Sequence, residues 1–409
     1  VVAVMEDVRN GARRMNNDGT NLIRKLKHKA YPMVSRYCIR ATLVEGRLKK
    51  AGERFRCMFV ENNNLMAYML PRMYEEVPRV LKKWRIWTPL LRRFVDACSR
   101  SVDMCVAVLP LRHHPEFVES AKFKSQMLVR SFIDTSGGSE EVRRQLRDNK
   151  RRFYNKMEKN PTFTCRISQD LKDFDLFYYK MHVPHIQKRF EGLADLDAYE
   201  GMKEFFLKGF LLMIEEGDTA VAGVLCTIEK DTLFFRRTGI LNGDEEYIRR
   251  GAPSAKYYFT LKYALDHGIS KVDLMRSRPF FNDGVYNTKR KWGARVYPDD
   301  ESGSWVFFFI PECSRRVATL FETNPLVVFK EDRMYGLVGW NNEDGPSAKD
   351  EGELVQKYYS PGLDGLMLLQ AHRDDPILIP FARQERVIKP LEGTPALKTL
   401  SPGPVGDVL

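Results

Sequence analysis

Period-two and period-3.6 hydrophobic runs alternate along most of this chain, with turn residues between them. Residues 55–61 and 65–69 flank the turn NNN and predict a hairpin, while 74–99 carries a helix-length pattern broken by Pro78 and Pro89. Residues 102–111 read as a buried strand, and 126–134 as a strand feeding the turn TSGGS. A long helix over 140–160 follows, with Ser139 as N-cap, Glu140 and Glu141 at its positive end and Pro161 just past its far end.

Residues 171–190 read as a helix interrupted at Pro184, and 199–208 as another. Three strands, 210–216, 219–228 and 232–240, then form a meander turned by Gly217-Asp218 and Lys230-Asp231. An amphipathic helix at 255–267 is ended by Gly268, and 271–274 is a short parallel-type strand. Beyond 326 the character changes: Pro/Gly-rich segments predict a loosely packed, partly disordered tail with one strand at 376–381. The expected organisation is a basic leader at 1–35, an α+β domain at 36–138, a basic helix at 139–160, a second α+β domain at 161–325 and the tail at 326–409.

Composition narrows the class. The 409 residues are 43% hydrophobic and 29% charged, as in a globular protein of two ordinary domains. A formal charge of +12 favours an anionic partner: nucleic acid, an anionic membrane surface or a phosphate-bearing substrate. Seven cysteines are scattered without a CxxC spacing, so a reduced, cytoplasmic chain without a metal site is expected. No apolar run approaches the ~18 residues of a membrane span, and the first residues lack the h-region of a signal peptide. The chain begins with Val, as expected of a fragment or a processed form.

Chemistry concentrates at 275–295, MRSRPFFNDGVYNTKRKWGAR. Six cations, Tyr286, Trp292 and two glycines directly follow a buried strand, a setting that can hold an anion. Arg276 and Arg278 suit forked bonds to phosphate or carboxylate, and Lys289 can act as a mobile charge. Upstream, Arg249, Arg250, Gly251, Ala252 and Ser254 form a helix entry whose amides can bind phosphate; by itself such a Gly/Pro entry is more simply accounted for by packing. His182-Val-Pro-His185, followed by Arg189, reads either as core or surface histidines or as acceptor recognition. The cations of 140–159 are either a solvated face or a basic wall beside a cleft. Aminolysis of an ester or thioester needs a neutral amine, an oxyanion cradle and a route for the proton. Asp273, Asp283, Tyr286, His182 and His185 all suit the role of base, and spacing selects none.

The pattern Asp273-Leu-Met-Arg276-Ser277-Arg278, Gly284-Val-Tyr286 and Lys289-x-x-Trp292-Gly293 resembles the C-terminal signature of the FemAB-like branch of the GNAT acyltransferase superfamily, over roughly 120–300. The preceding order of meander, loop, helix and strand resembles the core of that fold. The resemblance implies α+β architecture with tandem GNAT-like domains, mixed sheets flanked by helices, at 36–138 and 161–325. It implies N-acyl transfer from acyl-CoA (acetyl-CoA included) or aminoacyl-tRNA to an amine on a cell-envelope, glycan or peptide precursor. One such branch accompanies exopolysaccharide and exosortase gene clusters. On this reading Lys289, Asp273 and Tyr286 are the expected catalytic set, with Lys289 near the reacting carbonyl or a substrate phosphate. Arg249, Arg250, Gly251, Ala252 and Ser254 hold the donor, and Arg276, Ser277, Arg278, His182, His185 and Arg189 hold substrate. Two departures stand out: PFFND lengthens the loop after Arg278, and Arg249-Arg-Gly-Ala is not an Arg-x-x-Gly-x-Gly loop. Rival expectations are a tRNA-dependent ligase, with the basic helix as its tRNA surface, and a catalytically silent anion-binding module.

Overall fold

The computed structural model describes residues 38–190, 196–301, 303–342 and 344–381. The basic leader and the tail beyond 381 lie outside the described residues. In chain order the strands are β1 (Cys38–Arg47), β2 (Arg54–Val60), β3 (Arg79–Trp87), β4 (Met104–Pro110), β5 (Phe123–Gln126) and β6 (Val129–Asp134). Then come β7 (Thr164–Ser168), β8 (Gly209–Glu216), β9 (Thr219–Glu229), β10 (Thr232–Ile240), β11 (Lys271–Ser277) and β12 (Arg295–Tyr297). The last are β13 (Ser304–Phe309), β14 (Leu326–Lys330), β15 (Arg333–Trp340), β16 (Gly365–Gln370) and β17 (Ile377–Pro380).

They build two mixed sheets flanked by helices, an α+β fold consistent with tandem GNAT-like domains. The ten-stranded sheet has the order β17-β16-β15-β14-β5-β13-β4-β2-β1-β3, and the seven-stranded sheet β12-β6-β11-β10-β9-β8-β7. Wholly apolar runs take interior places: β4 is buried throughout except at Pro110, and β16 is buried at every residue. Among the described residues no helix is long and apolar enough to cross a membrane.

Several expectations change. The helix Leu65–Met73 replaces the second hairpin strand, because Leu65, Met69 and Met73 bury one face at four-residue spacing. The Glu61 carboxylate accepts from the amides of Leu65 and Met66 at 3.0 and 2.9 Å, fixing the start of that helix. The pattern at 74–99 divides into edge strand β3 and the helix Leu91–Ser99. The single basic helix is two, Gly138–Gln145 and Asp148–Lys159, and Gly137 rather than Ser139 is the N-cap. Arg151 joins them by donating to the carbonyls of Arg143, Arg144 and Leu146 at 2.9 to 3.3 Å. The interruption in 171–190 is a π-helical stretch, Leu176–His182, ahead of Pro184.

The largest revision concerns the tail. Residues 326–380 form four strands and the helix Ala348–Tyr358, whose Ser347 and Asp350 close a reciprocal cap. Buried runs such as GLMLLQ carry the strands, and the prolines and glycines fall largely between them. The chain therefore starts the ten-stranded sheet, leaves to build the seven-stranded sheet from 129–297, and returns to finish the first with β13 to β17.

Candidate functional site

In the seven-stranded sheet β10 and β11 pair in parallel only from Thr232↔Lys271 to Phe234↔Asp273. Just beyond, β10 slips register against β9 between Phe235 and Arg237, and β11 slips against β6 between Asp273 and Arg276. Met275 adopts a left-handed φ of 63° at that bulge. These two bulges stand where the parallel ladder of β10 and β11 ends.

Residues of the β11 turn largely hold this bulge together. Asp273, buried, accepts from the Met275 amide at 2.7 Å, from Arg130 at 3.3 Å and from the Tyr297 hydroxyl. Lys289, also buried, donates to the carbonyls of Met275 and Arg276 at 2.8 and 2.9 Å, and burial pushes its ammonium down to about 7. Arg276 pairs with Asp299 at 2.8 Å and with Glu301. Ser277 is buried, its hydroxyl without a partner. Arg278 reaches Asn64 in the first sheet's half at 2.7 Å. Tyr286 sits in the core against Phe281 and shares a 3.2 Å hydrogen bond with Ser360, and burial pushes its hydroxyl up to about 12. In this geometry Asp273 and Tyr286 are bound as structural partners, and Lys289 faces carbonyls of its own chain.

The expected donor loop is a corner between two helices, Glu245–Arg250 and Ala252–Asp266, turned at Gly251 with φ 109°. Arg250 pairs with Glu216 at 2.5 Å. The Ser254 amide bonds to the Gly251 carbonyl at 2.8 Å, and its hydroxyl accepts from Lys150 at 2.8 Å. Phe153 packs over Gly251, where an added Cβ would lie 3.0 Å from its ring. The helix start, Ala252 included, is therefore covered by protein.

The side chains that gather beside β10 are His182, His185, Arg189 and Lys256. Gly239 brings the π-helical stretch against β10: a Cβ there would lie 2.6 Å from Met181 and 2.7 Å from the His182 amide. His182 donates through Nδ1 to the Thr238 carbonyl at 3.0 Å, so that nitrogen carries the proton, and among the described residues buried Nε2 is left as a partnerless acceptor. Burial lowers the His182 pKa, and burial, with Lys256 and Arg189 nearby, pushes His185 down to about 3. Arg189 approaches the helix Gly284–Lys291, its Nη2 3.5 Å from where a Cβ on Gly284 would stand. That helix starts at Asp283, whose carboxylate accepts from the amides of Val285 and Tyr286 and from the Tyr68 hydroxyl at 3.0 Å. Both sheets thus meet beside the cluster.

Lys256 is the residue that sequence reasoning missed. It is 3% exposed, and among the described residues its ammonium makes neither hydrogen bond nor ion pair. Burial, then Arg189, pushes it down to about 7. Its position carries a readable signal: it lies four residues after Ala252 and four before Thr260, on the buried stripe continued by Ala264. A neutral imidazole nitrogen and a neighbouring ammonium can accept a proton and stabilise an oxyanion. A separate cavity of about 830 Å³ in the ten-stranded sheet, between Phe309-Ile310 and Phe329, mixes acidic and basic side chains without focusing either charge. No three His, Cys, Asp or Glu side chains among the described residues are grouped to hold a metal.

No family model and no curated protein matches this chain. Among solved structures it is similar to FemX at 10% identity, over 66% of this chain and 83% of that one, with a TM-score of 0.35. It is similar to L-PGS from Bacillus licheniformis at 10% identity, over 69% and 85%, with a TM-score of 0.30. A GCN5-related N-acetyltransferase from Kribbella flavida overlaps at 8% identity, over 82% and 72%, with a TM-score of 0.26. Likeness at this level assigns neither substrate nor residues, so the site rests on the chain's own geometry.

Proposed function

We propose that this chain is an N-acyltransferase of FemAB-like type, moving an acyl or aminoacyl group from an activated ester or thioester to an amine of a glycan or peptide precursor. The single observation that supports it is a neutral imidazole beside a buried lysine: His182 Nε2, buried and without a partner among the described residues, lies within electrostatic reach of the buried Lys256. The amine nitrogen attacks the donor carbonyl, and Lys256 stabilises the oxyanion. His182 Nε2 takes the amine proton and returns it to the leaving oxygen or sulfur as the carbonyl re-forms.

For the donor, aminoacyl-tRNA is favoured over acyl-CoA by one feature. Lys150 and Phe153 cover the helix start that would cradle a pyrophosphate. The deciding experiment offers acetyl-CoA, longer acyl-CoAs and charged tRNA with a panel of amine acceptors, and reads the amide product by mass spectrometry. Transfer that His182→Gln and Lys256→Met each reduce by 10²-fold or more, in folded protein, supports the reading. Transfer untouched by both variants moves the chemistry elsewhere, and no transfer from any donor leaves an anion-binding module.

A further inference from the structure

The edge strand β3 presents a surface that acyl transfer does not use. Among the described residues it pairs with β1 alone, and from Val80 to Arg93 the chain carries Lys82, Lys83, Arg85, Arg92 and Arg93 without one acidic residue. Glu45 lies opposite Arg79, just before this stretch, and Arg92 reaches Asp96 at 3.7 Å at its end. Lys82 and Lys83, both exposed, stand between them. Among these cations stand apolar side chains open to water: Val77 is 95% exposed, Val80 46%, Trp87 56% and Leu90 48%.

This combination chooses among occupants. A second copy pairing edge to edge would bring two rows of cations together, which is how natural edges prevent such pairing. A nucleic acid would use the cations and Trp87, but it gives no role to Val77, Val80 and Leu90, since its bases stack on aromatic rather than aliphatic side chains. A bilayer interface uses all three kinds. Cations meet lipid phosphates, Trp sits at headgroup depth, and small aliphatic groups enter the acyl boundary.

We propose that the β3 edge and the turn after it dock on an anionic lipid bilayer, peripherally. This inference is independent of acyl transfer, and its failure leaves that reading intact. The test sediments the full chain with vesicles of phosphatidylcholine alone and of phosphatidylcholine mixed with phosphatidylglycerol, at low and moderate salt. Sedimentation is expected only with phosphatidylglycerol, weakening as salt rises. Each cation near an anionic surface is worth about fivefold in partitioning, so the double variant K82Q/K83Q should bind about 25-fold more weakly. Trp87→Ser with Leu90→Ser should weaken binding further without changing the salt dependence. Three results overturn the proposal: no dependence on phosphatidylglycerol, vesicle binding unchanged in both variants, or no vesicle binding alongside salt-sensitive capture of a single-stranded oligonucleotide that K82Q/K83Q weakens. The substituted side chains are exposed, and circular dichroism verifies that each variant keeps its fold.

Discussion

Replacing Lys256 with Met should make this protein more stable while reducing the proposed acyl transfer by about 10²-fold or more. Lys256 is 3% exposed and its ammonium lacks a hydrogen bond or ion pair among the described residues, so Met removes a burial cost and no described bond. Burial lowers its pKa from 10.5 to about 7, which corresponds to about 4 kcal/mol of lost stability near pH 7, at 1.36 kcal/mol per tenfold. Below about pH 7 the lysine is protonated folded and unfolded, and the full cost is present. Between about 7 and 10.5 the unfolded chain keeps a proton that the folded chain has shed, so wild-type stability rises with pH. The advantage of Lys256→Met is therefore largest at and below pH 7 and shrinks as pH rises. Urea denaturation of both proteins from pH 6 to 9 measures it, and the difference between the curves cancels every other titrating group. A variant less stable than wild type at pH 7, or a gap that stays constant with pH, would refute the reasoning. Gain of stability with loss of activity is the signature of a group kept for function.

Lys289→Ala should do the opposite and cost about 3 kcal/mol in thermal unfolding, because it leaves the Met275 and Arg276 carbonyls buried without their donor. Gly239→Ala should lose about 2 kcal/mol or more and reduce transfer, since the new Cβ meets Met181 and His182 at 2.6 and 2.7 Å; stability and turnover measured together check it. His185 should stay neutral from pH 5 to 8 in an NMR titration, and stability should fall as pH drops from 6.5 toward 3, where the unfolded chain binds the proton that folded His185 refuses. Deleting the residues after 325 should leave a chain that limited proteolysis degrades, because it removes four strands from the ten-stranded sheet.

Much of the second half of the fold is legible in the sequence. The meander β8 to β10, the helix Ala252–Asp266 and β11 fall close to their predicted positions because each is a strongly periodic run closed by a turn. Residues 65–69 read as a hairpin strand but form the helix Leu65–Met73, since a five-residue apolar run does not separate strand from helix. Residues 326–380 were misread because turn composition outweighed short buried runs that look unremarkable until a sheet receives them.

At the site, the sequence identified where cations converge but not what they face. Asp273, Lys289 and Tyr286 have the residue types of chemistry, yet a bulge in β11 and a core contact with Ser360 engage them. Lys256 looked like one more lysine on a helix. Its burial follows from the packing of that helix against β8, β9, β10 and β11. Local periodicity and turn chemistry act within a few residues, and over 210–274 they suffice for the elements and their order. That residues 38–126 and 304–380 share one sheet, and that Lys256 is buried, emerges only in the folded chain. Both depend on contacts between segments far apart in the chain, whose distance no local pattern encodes.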